Sequence, residues 1–302
     1  MPARQRTRES TKEGNEMPLR SAIRSAGTSV FAAVLGFVAL SAGATQVDDI
    51  RKKGELVCGV LGTDEPFSFM KDPASREIVG YEVDICKAVA KSLGVKPVLK
   101  QIAVAARLPE LQQGRVDMLT ATLTHSRERE TQIDFSVSTF VTGQKVMVKK
   151  AAGIRHLSDL NGKKVLTVKG SSMEQNVRKA APSAEIVSFD AGPQALLALQ
   201  QGKGVAYAND ETSLVSQKAM LGDAAQKYEI LPENLSVEHI AVGIRKGQPE
   251  LRDQVNQVLR GMEASGEAEK MFMKWFGPAT RMRYEARPFK METDRIDSVP
   301  GA

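Results

Sequence analysis

Leu111-Gln112-Gln113-Gly114-Arg115-Val116-Asp117-Met118-Leu119-Thr120 ends a helical stretch on glycine and runs directly into a strand-like apolar segment. Its first four residues return 88 positions later as Leu199-Gln200-Gln201-Gly202, again with a strand behind them. Glycine just past the last helical turn is a strong stop signal, so the echo marks two helix-to-strand units of one kind. Two similar α/β lobes are expected.

The flanking sequence agrees. Val83, Cys86, Val89, Ala90 and Leu93 recur at helical spacing and stop at Gly94. Short β-branched or apolar runs at 56–60, 98–102, 116–120 and 165–168 read as strands, with a helix at 108–113 between the second and third. Strands alternating with helices predict an α/β fold with parallel pairing.

In open parallel sheets the ligand crevice lies at the carboxyl ends of the strands. Thr120, Thr122, Thr124 and Arg129 follow the first repeated unit; Asn209, Asp210 and Glu211 follow the second. A cation in one lobe and an anion in the other suit a zwitterion. Arg129 can grip a carboxylate through two parallel bonds and Asp210 can accept from an ammonium, each charged bond contributing about 1.5–3 kcal/mol. Gly170-Ser171-Ser172-Met173-Glu174 opens a helix after a strand, with Ser171 and Glu174 spaced as a capping box whose amides can face an anion. Each piece alone has an ordinary use: capping boxes cap, and Arg127-Glu128-Arg129-Glu130 reads as a solvated helix face. Their joint position argues for binding.

With 42 Lys+Arg, 36 Asp+Glu and 42% hydrophobic residues in 302, the chain is globular rather than fibrous or disordered. Half of the net charge of +6 lies before Thr45, and the remainder is too small to argue for nucleic acid. That early segment reads as an export signal: Arg20 and Arg24, the eleven-residue apolar run 30–40, then Ala42-Gly43-Ala44 for cleavage. As a helix the run reaches about 16 Å, roughly half a bilayer core, so a membrane anchor is disfavoured. Met17 makes a more conventional beginning than Met1, which leaves the start codon open. Export, with cleavage near Ala44, places Cys58 and Cys86 in an oxidising compartment, where they can pair. Their apolar strand and helix settings favour two buried thiols instead. His125, His156 and His239 are too scattered for a metal site and are expected at the surface or its boundary. No G-x-S-x-G, H-E-x-x-H, G-x-x-x-x-G-K, G-x-G-x-x-G or C-x-x-C is present.

Together these residues resemble the bacterial extracellular solute-binding proteins of family 3, periplasmic receptors for polar amino acids. The resemblance runs from about Val47 to Gly277 through Glu65-Pro66-Phe67-Ser68-Phe69, Val79-Gly80-Tyr81-Glu82-Val83-Asp84, the 111–117 and 124–129 segments, Ile133-Asp134-Phe135-Ser136, Asp159-Leu160-Asn161-Gly162, Gly170-Ser171-Ser172 and Lys274-Trp275-Phe276. Arg107-Leu108-Pro109 and Ser265-Gly266-Glu267-Ala268-Glu269-Lys270 look most like the glutamate/aspartate-binding subgroup.

The resemblance implies a two-lobed type II periplasmic-binding-protein fold, each lobe a sheet flanked by helices, with hinge strands near Val141 to Gly143 and His239 to Ala241. Expected boundaries are a signal segment at 1–44, lobe 1 at 45–141 plus 240–277, lobe 2 at 142–239, and a tail at 278–302. It implies that Arg129 holds the ligand α-carboxylate with Thr122, Thr124, Ser172 and the Met173 amide, that Asp210 holds the α-ammonium, and that Arg107 faces the ligand side chain. Asp64 and Val104 stand where aromatic residues are frequent, and Leu61 and Ala191 replace basic ones. Arg107 against Asp64 favours glutamate, aspartate or their amides over aliphatic ligands. The expected protein is a monomeric, cofactor-free receptor that delivers its ligand to an inner-membrane ABC permease. The alternative is a periplasmic dehydratase or lyase on the same fold, with Asp64 as its acid.

Overall fold

The computed structural model describes residues 45–72 and 74–291, so the export segment lies outside the described residues. In chain order the elements are α1 (Gln46–Lys53), β1 (Glu55–Val60), β2 (Thr63–Asp64), β3 (Ser68–Met70), β4 (Ile78–Val79), α2 (Tyr81–Leu93), β5 (Lys96–Gln101), α3 (Arg107–Gln112), β6 (Met118–Leu119), α4 (Arg127–Glu130) and β7 (Ile133–Lys149). Then come β8 (Lys164–Val168), α5 (Met173–Ala180), β9 (Glu185–Phe189), α6 (Gly192–Gln200), β10 (Ala206–Asp210), α7 (Glu211–Met220), β11 (Tyr228–Ile230), β12 (Ser236–Arg245), α8 (Pro249–Ser265) and α9 (Glu267–Phe276).

Local signals account for the stops. Gly94 ends α2 at φ +72°, its amide donating to the Ala90 and Lys91 carbonyls. The two copies of the repeated motif end their helices alike: Gly114 at φ +67° and Gly202 at φ +79°, with Arg115 N donating to Glu110 O and Lys203 N to Ala198 O, both at 3.0 Å. Such six-to-one bonds satisfy carbonyls that a helix end leaves open.

The main sheet runs β5-β1-β6-β12-β7-β10-β8-β9, with β11 also on β7. β5-β1-β6 is parallel, as is β10-β8-β9, while β12 and β7 are antiparallel to each other and to their neighbours. The order is therefore symmetric about the β12/β7 pair. Val141 faces His239 and Thr142 faces Glu238 in that pair, and the register is irregular between Ile240, Ala241 and Gly243. The strands expected near the hinge thus pair with each other, beside bulges that loosen a ladder.

Two sets of apolar clusters flank the crossing. One gathers α1, α2, α8 and α9 on β1 and β12; another gathers α5, α6 and α7 on β8 and β10. The strand expected at 116–120 shortens to β6 because the Asp117 side chain replaces a ladder group: its Oδ2 accepts from Val57 N at 2.8 Å.

Cys58 on β1 and Cys86 on α2 form a disulfide with Cα atoms 6.3 Å apart, which corrects the expectation of two thiols. Both are fully buried where α2 packs on β1, so the faces that bury them also oppose them. Residues 278–291 pack on the first set of helices. Met291 is fully buried, Phe289 lies 4.9 Å from the Phe140 ring, and Arg287 donates to both Glu263 oxygens at 2.7 and 2.6 Å.

Replacing both cysteines, Cys58→Ser with Cys86→Ser, should cost about 2–4 kcal/mol by releasing the cross-linked loop in the unfolded chain. Urea unfolding should show a lower midpoint than the oxidised parent. An unchanged midpoint would contradict the bond.

Candidate functional site

The segment after β6 turns sharply at Thr122, whose φ of +48° is rare for a β-branched residue. Glu82, in the first turn of α2 and 3% exposed, holds that turn. Its Oε1 accepts from Thr122 N at 2.7 Å and its Oε2 lies 3.2 Å from the Thr122 hydroxyl. The same hydroxyl is 2.9 Å from Asp64 Oδ2. One hydroxyl proton cannot serve both carboxylates, so one acid must supply a proton of its own. Burial, with the nearby Asp64 charge adding to it, pushes the Glu82 carboxyl up to about 8, against the Thr122 bonds and Arg107. Burial raises the Asp64 carboxyl as well, against its Ser213 and Thr122 bonds, so the two acids hold a proton between them, with Glu82 favoured as its site.

Arg107, at the start of α3, is 3% exposed rather than a surface residue. Its Nε donates to Val104 O, its Nη1 to Ala121 O and Thr122 O, and its Nη2 to Gly170 O, at 2.7–3.2 Å. Four of its five N–H groups are therefore engaged by carbonyls.

Across the cleft, the segment after β8 does not form the expected capping box. Ser171 Oγ turns back to donate to Val168 O at 2.5 Å, and Glu174 accepts from the Ser188 hydroxyl. Ser172 takes the N-cap position of α5 without a side-chain cap bond. Its hydroxyl accepts from Gln144 Nε2 at 2.8 Å and lies 3.4 Å from Thr124 Oγ1 and from Glu238 Oε2.

Asp210 ends β10 at 3% exposure. Its Oδ1 is buried and lacks a hydrogen-bond partner. Burial lifts its carboxyl well above the usual range, helped by Glu238 and Asp64 and opposed by Arg107 and the Gln144 amide. Ser213, in the first turn of α7, donates to Asp64 Oδ1 at 2.6 Å and joins the two halves of the sheet.

Asp64, Arg107, Thr122, Thr124, Ser172, Met173 and Asp210 line one pocket, together with Leu61, Val104, Gly192 and Gln217, around about 510 Å³ of non-atom space partly open to solvent. Arg129 does not line it. Its Nη1 donates to Thr124 O at 2.8 Å and its Nη2 to Gly170 O at 3.4 Å, and it faces an adjoining cavity with Glu238 and His239. Thr124 and Ser172, 3.4 Å apart, border both the pocket that Asp210 lines and the one that Arg129 lines.

The sequence reading missed Glu82, Gln144, Ser213 and Gln217. Gln217 had a usable signal, since it stands seven residues beyond Asp210 on one helix face. Gln144 had none, because it projects from a long strand. His125 is also buried, 7% exposed and stacked 4.2 Å from the Phe135 ring, against the expected boundary position. Among the described residues no group of three His, Cys, Asp or Glu side chains is arranged to hold a metal, and no helix is long and apolar enough to cross a membrane.

The description of the bacterial extracellular solute-binding proteins, family 3, matches residues 56–278. The ABC transporter glutamine-binding protein of Bacillus subtilis is 34% identical over 230 residues, 75% of this chain and 82% of that protein. The glutamate/aspartate import solute-binding protein of Salmonella typhimurium is 32% identical over 248 residues, 78% and 80% of the two chains. An ancestral amino-acid-binding protein, described as a precursor of cyclohexadienyl dehydratase, superposes with a TM-score of 0.70 at 32% identity, covering 77% of this chain and 100% of that one.

The Glu82 proton has a measurable consequence. Between the ordinary value of 4.5 and about 8, the native chain holds a proton that the unfolded chain releases. Stability from this group is greatest below that window and is lost as pH rises through it, by up to about 1.4 kcal/mol per pH unit. Glu82→Gln should flatten this part of the pH profile of unfolding. An unchanged slope would show that Glu82 is ionised in the folded state.

Proposed function

The chain belongs to the bacterial extracellular solute-binding proteins of family 3, and on that premise we propose that it is the periplasmic, monomeric receptor of an ABC importer. It captures a polar or acidic L-amino acid, among glutamate, aspartate and their amides, and hands it to an inner-membrane permease. The observation that carries this reading is the unpaired, buried Asp210 Oδ1 lining a pocket between the two halves of the sheet. A buried acceptor without a partner costs about 1–3 kcal/mol, and an α-ammonium removes that cost. Arg129, beyond the Thr124–Ser172 contact, takes the α-carboxylate once the ligand separates those hydroxyls.

The proposed lobes are 45–141 with 240–277, and 142–239, joined by the β7/β12 crossing; 278–302 forms the tail. The apolar clusters on either side of that crossing support two lobes, and Met291 and Phe289 in the first cluster join residues 278–291 to lobe 1. Curated relatives named as transport binding proteins support a receptor over an enzyme. A dehydratase would need Asp64 free to move a proton. Instead both Asp64 oxygens accept, from Ser213 and Thr122, which suits a clasp between lobes.

A thermal-shift screen of amino acids identifies the ligand, since 100 times its Kd adds about 2.7 kcal/mol of stability. Ligand released on denaturation should be chemically unchanged; a dehydrated product would favour the enzyme. Asp210→Ala or Arg129→Ala should weaken that ligand by about 30-fold or more while the chain still folds. Calorimetric binding within a few-fold of the parent in either variant would refute the zwitterion grip.

A further inference from the structure

Gln217 lines the same pocket, is 7% exposed, and carries a second buried acceptor without a partner, its Oε1. Its orientation has a cause. The amide nitrogen is turned toward Tyr207, to which Gln217 is hydrogen-bonded, and a Cβ on Gly192 would sit 2.8 Å from that nitrogen and 3.0 Å from the Tyr207 hydroxyl. The oxygen is therefore the atom left without a partner. Helical side chains lean toward the N-terminus, so Gln217 reaches back toward Asp210 across two turns, about 10.5 Å of axis.

Resting on the receptor reading, we infer that this part of the cleft selects a side-chain carboxamide, with Gln217 Oε1 and Asp64 accepting its N–H groups and Arg107 donating to its oxygen. The alternatives each leave something wrong. A carboxylate would confront the Asp64 carboxyl and a second acceptor on Gln217. A guanidinium or ammonium would satisfy both acceptors but bring a second cation beside Arg107, which lines the same pocket. An aliphatic chain would bury the Gln217 oxygen unpaired. A carboxamide offers two donors and one acceptor. It meets the two acceptors and the single N–H of Arg107 not engaged by a carbonyl.

The test is calorimetric titration of the parent, Gln217→Leu and Asp64→Asn with L-glutamine, L-glutamate, L-arginine and L-leucine. The parent should bind glutamine at least about tenfold more tightly than the other three. Gln217→Leu should weaken glutamine by about tenfold or more while the melting temperature stays close to the parent's, because the lost Tyr207 bond is offset by removal of an unpaired acceptor and Tyr207 keeps its Asn209 partner. Asp64→Asn should narrow the preference for glutamine over glutamate. Tighter glutamate, arginine or leucine binding by the parent would overturn the carboxamide while leaving the receptor standing. So would a Gln217→Leu protein that melts earlier yet holds glutamine as the parent does, which would make Gln217 scaffold. Failure of the parent to bind any amino acid would refute the receptor reading and the inference with it.

Discussion

A buried carboxyl oxygen without a partner in the protein, Asp210 Oδ1, is the constraint around which the cleft is organised. Leaving it unpaired costs about 1–3 kcal/mol, and charging it in place costs more because Glu238 and Asp64 stand near. A cationic ligand relieves both at once. On the proposed reading, part of the affinity for an ammonium comes from removing that cost.

The symmetric sheet is what brings that oxygen to its pocket. β6 and β10 sit at equivalent places beside the β12/β7 pair, so the segments after them, Thr120 to Thr124 and Asp210 to Ser213, face one another. Their meeting is close at Gly170, where a Cβ would approach Ala105 Cα to 2.7 Å. Direct bonds between the halves run from Ser213 to Asp64, from Arg107 and Arg129 to Gly170, from Gln175 to Glu128, and between Thr124 and Ser172. Each of these bonds except the last has an ionisable partner, a class that contributes about 1.5–3 kcal/mol when charged and buried and less at the exposed Gln175–Glu128 pair. On the proposed reading, a ligand touching both sides would shift the population by its differential contacts, and the irregular β12 register near Ile240 is where a rotation could be absorbed.

The parts of this arrangement that obey local rules were legible in the sequence. The repeated Leu-Gln-Gln-Gly stops, α2 with its Gly94 cap, the hinge strands and the placement of Thr122, Thr124 and Asp210 all follow from periodicity, turn chemistry or family resemblance. What depends on three-dimensional neighbours was not. The 171–174 spacing fits a capping box, but the Val168 carbonyl and the Gln144 amide compete for those serines and win. Arg107 reads as a ligand contact, yet the sharp turn at Thr122 presents carbonyls that occupy most of its fork. The disulfide needed the face of β1 that meets α2, which alternation alone does not fix for a strand buried on both sides. Glu82 was visible as part of a motif, but its work, holding a left-handed threonine 40 residues away, belongs to the fold.

The claim that a buried, unpaired carboxyl oxygen captures an α-ammonium is tested most directly with a ligand that lacks that cation. Calorimetric titration with L-glutamine and with its N-acetyl derivative, at one pH and salt concentration, isolates the group. The account predicts at least about 30-fold weaker binding of the acetylated compound, the loss of one desolvated charged contact. Equal affinity for the two would contradict it.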